Sequence, residues 1–115
     1  MKVITTRSNN YCLINIIGRL DSYTIPQLNI SLQNVIPMGV RFIIIDLSKI
    51  DYISSSGLLT LVQTQKNFTV HNLGEIFLAG APEVVLNSFA IAGFYKIFKF
   101  FVDIQSAIES IEIGK

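Results

Sequence analysis

The chain predicts an α/β fold, with a mixed central sheet of about five strands and four helices. Three observations carry this. Apolar runs of strand length alternate with stretches whose apolar residues recur at three- and four-residue steps. The run Phe42-Ile43-Ile44-Ile45 is continuous, as in a strand covered on both faces. Two strand patterns, 2–7 and 11–17, are separated only by Ser8-Asn9-Asn10, so the sheet opens on a hairpin.

Gly18-Arg19-Leu20-Asp21 closes the second strand, and Asp21 or Ser22 is expected to cap a helix running to about Ile36. Ile25, Leu28, Leu32, Val35 and Ile36 give that helix one apolar face. Pro26 is tolerated in its first turn, and Pro37-Met38-Gly39 ends it. The continuous strand covers 40–46, followed by a short connection. A second helix runs from about Ser56 to Asn67, with Leu58, Leu61, Val62 and Gln65 on one side. Asn72-Leu73-Gly74 is a turn and Glu75–Ala79 a strand. Gly80-Ala81-Pro82-Glu83 opens a third helix, whose apolar side is Val84, Val85, Leu86, Phe89 and Ala90; Gly93 stops it. Residues 97–102 form a short strand, and Asp103 caps a last helix from Ile104 to about Ile111. Strands alternating with helices imply parallel pairing through right-handed crossovers.

One domain accounts for 115 residues. Half the residues are hydrophobic and 15% charged, enough to fill a core and too apolar for disorder. Nine basic and eight acidic residues give a net charge of +1 with no basic block, which excludes the electrostatic footprint of a nucleic-acid binder. The lone Cys12 excludes an internal disulfide and, within an apolar run, reads as a small buried hydrophobe. The N-terminus lacks the apolar core of a signal peptide, so a cytoplasmic setting is expected. The stretch from Phe89 to Ile104 is too short for a membrane span and is broken by Lys96, Lys99 and Asp103. Its aromatic run, Phe89, Phe94, Tyr95, Phe98, Phe100 and Phe101, reads as core, with one or two rings exposed near Gly93.

Asp46-Leu47-Ser48-Lys49-Ile50-Asp51-Tyr52-Ile53-Ser54-Ser55-Ser56-Gly57 concentrates three hydroxyls at a helix N-terminus. One serine serves as cap, leaving a surplus. Serine hydrolysis does not fit: residues 53–57 lack the Gly-x-Ser-x-Gly elbow, and the one histidine, His71, falls past the far end of the helix. One His, one Cys and scattered acids offer no metal cluster, and no glycine-rich phosphate loop is present, so neither catalysis nor a cofactor is expected. Asp46 is expected at the C-terminal end of the buried strand, serving either function or the backbone of the connection. Asp51 reads as a solvated loop residue. What remains is a docking turn, or a hydroxyl that accepts a phosphoryl group from another protein's active site.

Asp46-Leu47-Ser48 with Tyr52-Ile53-Ser54-Ser55-Ser56-Gly57-Leu58 resembles the signature of the STAS domain, the fold of bacterial anti-sigma-factor antagonists and of sulfate-transporter tails. Gly18-Arg19-Leu20-Asp21 and Leu73-Gly74-Glu75-Ile76 resemble two further family motifs, in the expected order. The resemblance implies partner switching. The unphosphorylated antagonist binds an anti-sigma factor, a serine kinase, and frees the sigma factor; phosphorylation releases it. The implied acceptor is Ser55. Ser54 stands in place of the usual Asp and is the alternative acceptor. The implied partner-binding residues are Asp21, Ser22, Ser54, Ser55, Ser56, Gly57 and Leu58. The alternative reading is a freestanding STAS subunit of a transport complex or a stress-signalling scaffold.

Overall fold

β1 (Lys2–Arg7) and β2 (Tyr11–Leu20) pair antiparallel, with Arg7 opposite Cys12 across the Ser8-Asn9-Asn10 turn. The computed structural model describes residues 1–113. The chain continues through α1 (Ile25–Val35), β3 (Phe42–Ile53), α2 (Ser55–Val70), β4 (Glu75–Ala79), α3 (Glu83–Ile91), β5 (Lys99–Phe101) and α4 (Ile104–Ile113). This is the expected mixed sheet of five strands with four helices.

Sheet order equals chain order, and β2 to β5 run parallel. Each crossover therefore steps the same way, and right-handed connections put their helices on one face. Leu28 and Leu32 of α1, Leu61 and Val62 of α2, and Val85 and Phe89 of α3 share a core with Ile14, Ile16, Ile43, Ile45 and Leu47. α4 follows the last strand and covers the other face, where Ala107 and Ile111 meet Ile44, Phe77 and Ala79. Alternate residues of β3 thus feed two layers, which is why its sequence is apolar without a break. Each fully buried Ile, Leu or Phe contributes about 1.5–3 kcal/mol. Cys12 is fully buried, as expected.

β3 does not end near Asp46. It runs to Ile53, because β2 also continues to Leu20 and pairs with it through Ile17↔Lys49, Gly18↔Ile50, Arg19↔Tyr52 and Leu20↔Ile53. β4 stops at Ala79, opposite Asp46. Beyond that point only β2 flanks β3, and past Ile17, where β1 has also ended, the two form a two-stranded parallel ribbon. Its outward residues Ser48, Lys49, Asp51 and Tyr52 are exposed, and their polarity made the segment read as a connection. Asp46 therefore lies within the strand, not at its end. It accepts hydrogen bonds from Asn15 Nδ2 at 2.9 Å and from the Ser48 N–H at 3.1 Å. Asp51 lies on the ribbon rather than in a loop, and is solvated as expected.

Helix boundaries shift for local reasons. α1 begins at Ile25 after Thr24, because the Asp21 carboxylate caps the preceding turn instead; Ser22 is exposed and caps nothing. Ile36–Met38 form a separate 3-10 turn. α2 begins one residue earlier than expected and runs three residues further, to Val70. On α3, Val85 and Phe89 are buried, but Val84 and Ala90 face outward. β5 is only three residues long, since Tyr95–Ile97 form a 3-10 turn and β4 offers only Phe77–Ala79 for pairing. Asp103 caps α4 through the Ser106 N–H at 2.8 Å.

Two contacts lock the frame. Gly74 sits against the Arg41 carbonyl, where any Cβ would collide, and Glu75 N–H donates to that carbonyl at 2.9 Å. Buried Gln65 reaches from α2 to both backbone groups of Ile76, accepting from its N–H at 2.8 Å and donating to its carbonyl at 3.2 Å. No helix among the described residues is long and apolar enough to cross a membrane.

Candidate functional site: the serine turn

The ribbon carries the three serines at its tip. Ser54 N–H donates to the Leu20 carbonyl at 2.9 Å, so strand pairing continues up to the first residue of the turn. Ser54 then caps α2: its Oγ accepts from the Gly57 N–H at 3.0 Å and its carbonyl accepts from the Leu58 N–H at 2.9 Å. Ser56 Oγ lies 3.0 Å from Ser54 Oγ and pairs with it. Ser55, the first helical residue, is exposed, and its hydroxyl has no hydrogen-bond partner among the described residues. The triple serine thus divides into a cap, a partner of the cap and one uncommitted hydroxyl.

Gly57 lets this turn form. A Cβ at this position would stand 2.6 Å from the Leu20 carbonyl oxygen and 3.0 Å from Leu20 Cγ. Leu58, beside it, is buried against the core.

The Leu20–Ser54 bond also brings the β2–α1 turn alongside. There the Asp21 carboxylate accepts from the Tyr23 and Thr24 N–H groups at 3.0 and 3.2 Å, and from Arg19 Nε at 3.4 Å. Partial desolvation pushes the Asp21 carboxyl up, but these donors outweigh it and hold it below the ordinary aspartate value. The Arg19 guanidinium lies 4.3 Å from the centre of the Tyr52 ring. Asp21 and Ser22 therefore lie at the same end of the molecule as the serines.

Between α2 and α3 runs a groove of about 370 Å³, lined by Ile53, Leu58, Leu59, Ile91, Ala92 and Phe94, with Ser54, Ser55 and Ser88 at its edge. Ile91 is 88% exposed and Val84 64%. Sequence reasoning placed no site residue on α3. The signal was present in Ile91, an apolar residue off the buried stripe of a short helix, but only the fold sets it beside the serine turn; Val84 lines a separate hollow with Asp51, Tyr52 and Ile53.

His71 caps the far end of α2, sixteen residues from Ser55 and about 24 Å away along the axis. No group of three His, Cys, Asp or Glu side chains among the described residues could hold a metal ion.

The fold and this turn define the class. The chain belongs to the STAS domain family, whose model matches residues 2–107. Within that family it is similar to anti-sigma factor antagonists. It is 29% identical over 93 residues to the anti-sigma-B factor antagonist of Staphylococcus aureus, covering 81% of this chain and 85% of that protein. It is 30% identical over 98 residues to BtrV of Bordetella bronchiseptica, a candidate anti-sigma factor antagonist, covering 85% and 84%. Among solved structures it shares the fold of the antagonist SpoIIAA. The unphosphorylated form superposes with a TM-score of 0.80 at 18% identity over 96% of both chains. The phosphorylated Bacillus form gives 0.74 at 17% identity over 96% and 99%.

Proposed function

We propose that this chain is an anti-sigma factor antagonist that works by partner switching. Unmodified, it binds an anti-sigma factor with serine kinase activity, and a sigma factor is freed. Phosphorylated on Ser55, it no longer binds. The observation that carries this reading is the division of labour in the turn. Ser54 and Ser56 are engaged with each other and with the helix, and Ser55 offers an exposed hydroxyl beside an apolar groove. The partner class is supported by similarity to the Staphylococcus aureus antagonist.

The kinase supplies the general base, since the turn has none. Ser55 Oγ attacks the γ-phosphorus of ATP, the new O–P bond forms as the bond to ADP breaks, and the hydroxyl proton leaves to the kinase or water. The product carries about −1.5 to −2 charges. At the first position of α2 that charge meets the positive end of the helix dipole, so the domain keeps its fold. A partner side chain seated between α2 and α3 instead meets a solvated dianion at the groove mouth. A penalty of about 2.7 kcal/mol there lowers affinity roughly a hundredfold.

The test is peptide mass spectrometry after incubation with the host's soluble extract and ATP, beside Ser55→Ala and Ser54→Ala variants. One phosphate on Ser55, absent only from Ser55→Ala, is expected. Phosphate on Ser54 moves the acceptor by one residue. An extract that phosphorylates a control antagonist yet leaves this chain unmodified overturns the reading.

A further inference from the structure

α1 and the neighbouring turns of α2 carry no charged residue of their own, the nearest cation on the α1 side being Arg7, whose guanidinium reaches the Met38 carbonyl past the helix end at 3.5 Å. Residues 22–40 and 52–65 contain no Asp, Glu, Lys or Arg, in a chain with 15% charged residues. A solvated surface ordinarily carries about 25–35% charged residues of mixed sign. Between the two helices lies a groove of about 240 Å³, floored by Leu32 and Ile36 and rimmed by Asn29, Gln33, Gln63, Thr64 and Asn67. The Thr64 hydroxyl is turned back onto its own helix, donating to the Thr60 carbonyl at 2.7 Å. The polar function left on the rim is four carboxamides. The one cation of α2, Lys66, points to the opposite flank, with Nζ 6.0 Å from the Phe94 ring centre.

We infer that this α1–α2 face is the contact between two copies of the chain related by a two-fold axis. A two-fold contact sets a surface against itself, so any charge near the axis meets its like. A face without charge avoids that repulsion. A carboxamide both donates and accepts, so it pairs with a copy of itself, which a carboxylate or an ammonium group does not. Depletion of charge is also the compositional mark of an interface centre. Ile30, 60% exposed and one helical step from Gln33, supplies an apolar side chain to seat in the partner's groove. A net charge of +1 leaves little repulsion between whole molecules. A stable contact removes about 800 Å² per partner, near an eighth of this chain's 6359 Å². The serine turn stays clear, because Gln63 lies eight residues past Ser55, about 12 Å along α2. The dimer would thus present two serine turns. This inference does not depend on the partner-switching reading, and its test needs no kinase.

The test is sedimentation equilibrium of the full chain from micromolar to submillimolar concentration. The expected species has twice the 12.8 kDa chain mass. Gln33→Glu with Gln63→Glu should raise the dissociation constant at least about tenfold while leaving the circular dichroism spectrum unchanged. Gln33→Lys with Gln63→Lys should do the same, and mixing the two variants should restore a dimer. A chain that is monomeric at every concentration overturns the inference. So does a dimer that survives both pairs of substitutions, or one that dissociates on Ser55→Glu instead, which would locate the contact at the serine turn.

Discussion

Gly57 Cα rests against the Leu20 carbonyl, leaving no room for a side chain between the first turn of α2 and the end of β2. The same carbonyl accepts the Ser54 N–H. One backbone oxygen therefore fixes both the start of the helix and its distance from the ribbon. Gly57→Ala should cost about 1–3 kcal/mol by overpacking, since the obstructing atom is main chain and cannot rotate away. The urea midpoint should fall at unchanged slope. A midpoint equal to that of the parent would show that the turn relaxes.

Ser54 and Ser55 should separate in stability. Ser54→Ala removes the α2 cap and should cost about 1 kcal/mol. Ser55→Ala removes a hydroxyl that bonds nothing and should stay within about 0.5 kcal/mol of the parent. Ser54→Asp keeps a capping oxygen and should recover most of the loss. Urea unfolding of the three variants checks the order, and equal losses for Ser54→Ala and Ser55→Ala would contradict it.

Gln65→Leu should be at least as damaging as Gly57→Ala. The Gln65 side chain is buried, and it satisfies the Ile76 N–H and carbonyl and the Ile97 carbonyl. Leucine fits the volume but leaves those groups unpaired, at about 1–3 kcal/mol for a stranded buried donor. Thermal unfolding should show the drop, and amide exchange at Ile76 should quicken with it.

Acid stability should depend on Asp21 and Asp103. Desolvation raises the Asp21 carboxyl, but the Tyr23 N–H, Arg19 and Thr24 together bring it below the ordinary 3.8. At Asp103 the Ser106 N–H and hydroxyl lower it. A carboxyl that binds its proton less tightly when folded stabilises the fold above its unfolded value, and that contribution is lost as pH falls through the folded value. Asp21→Asn with Asp103→Asn should therefore lose stability less steeply below about pH 4 than the parent. Urea midpoints at stepped pH measure it, and parallel acid limbs would argue against both residues.

Under the partner-switching reading, Ile91→Asp should abolish capture of the anti-sigma factor without unfolding the domain. Ile91 is 88% exposed, so its replacement should leave the melting temperature nearly unchanged. A pull-down with full recovery of the partner would remove α3 from the binding surface.

Much of this was legible in the chain. The hairpin, the alternation and the apolar periods of α1 and α2 are local patterns, and local patterns survive without tertiary information. The ribbon was not legible, because Ser48-Lys49-Ile50-Asp51-Tyr52 looks like a connection until β2 is known to run beside it. β5 was overread because an aromatic run says nothing about how many residues of β4 remain for pairing.

The sequence by itself determined the fold class, the family motifs and the concentration of hydroxyls at one helix start, all carried by residues near one another in the chain. Which serine is uncommitted was decided only in three dimensions. The Leu20 carbonyl, more than thirty residues upstream, fixes Ser54 as the cap, and the cap then engages Ser56. The groove beside Ser55 likewise exists only because same-direction crossovers set α3 next to α2 on one face of the sheet. Periodicity records which residues turn inward, whereas a site on the outside depends on which surfaces the topology makes neighbours.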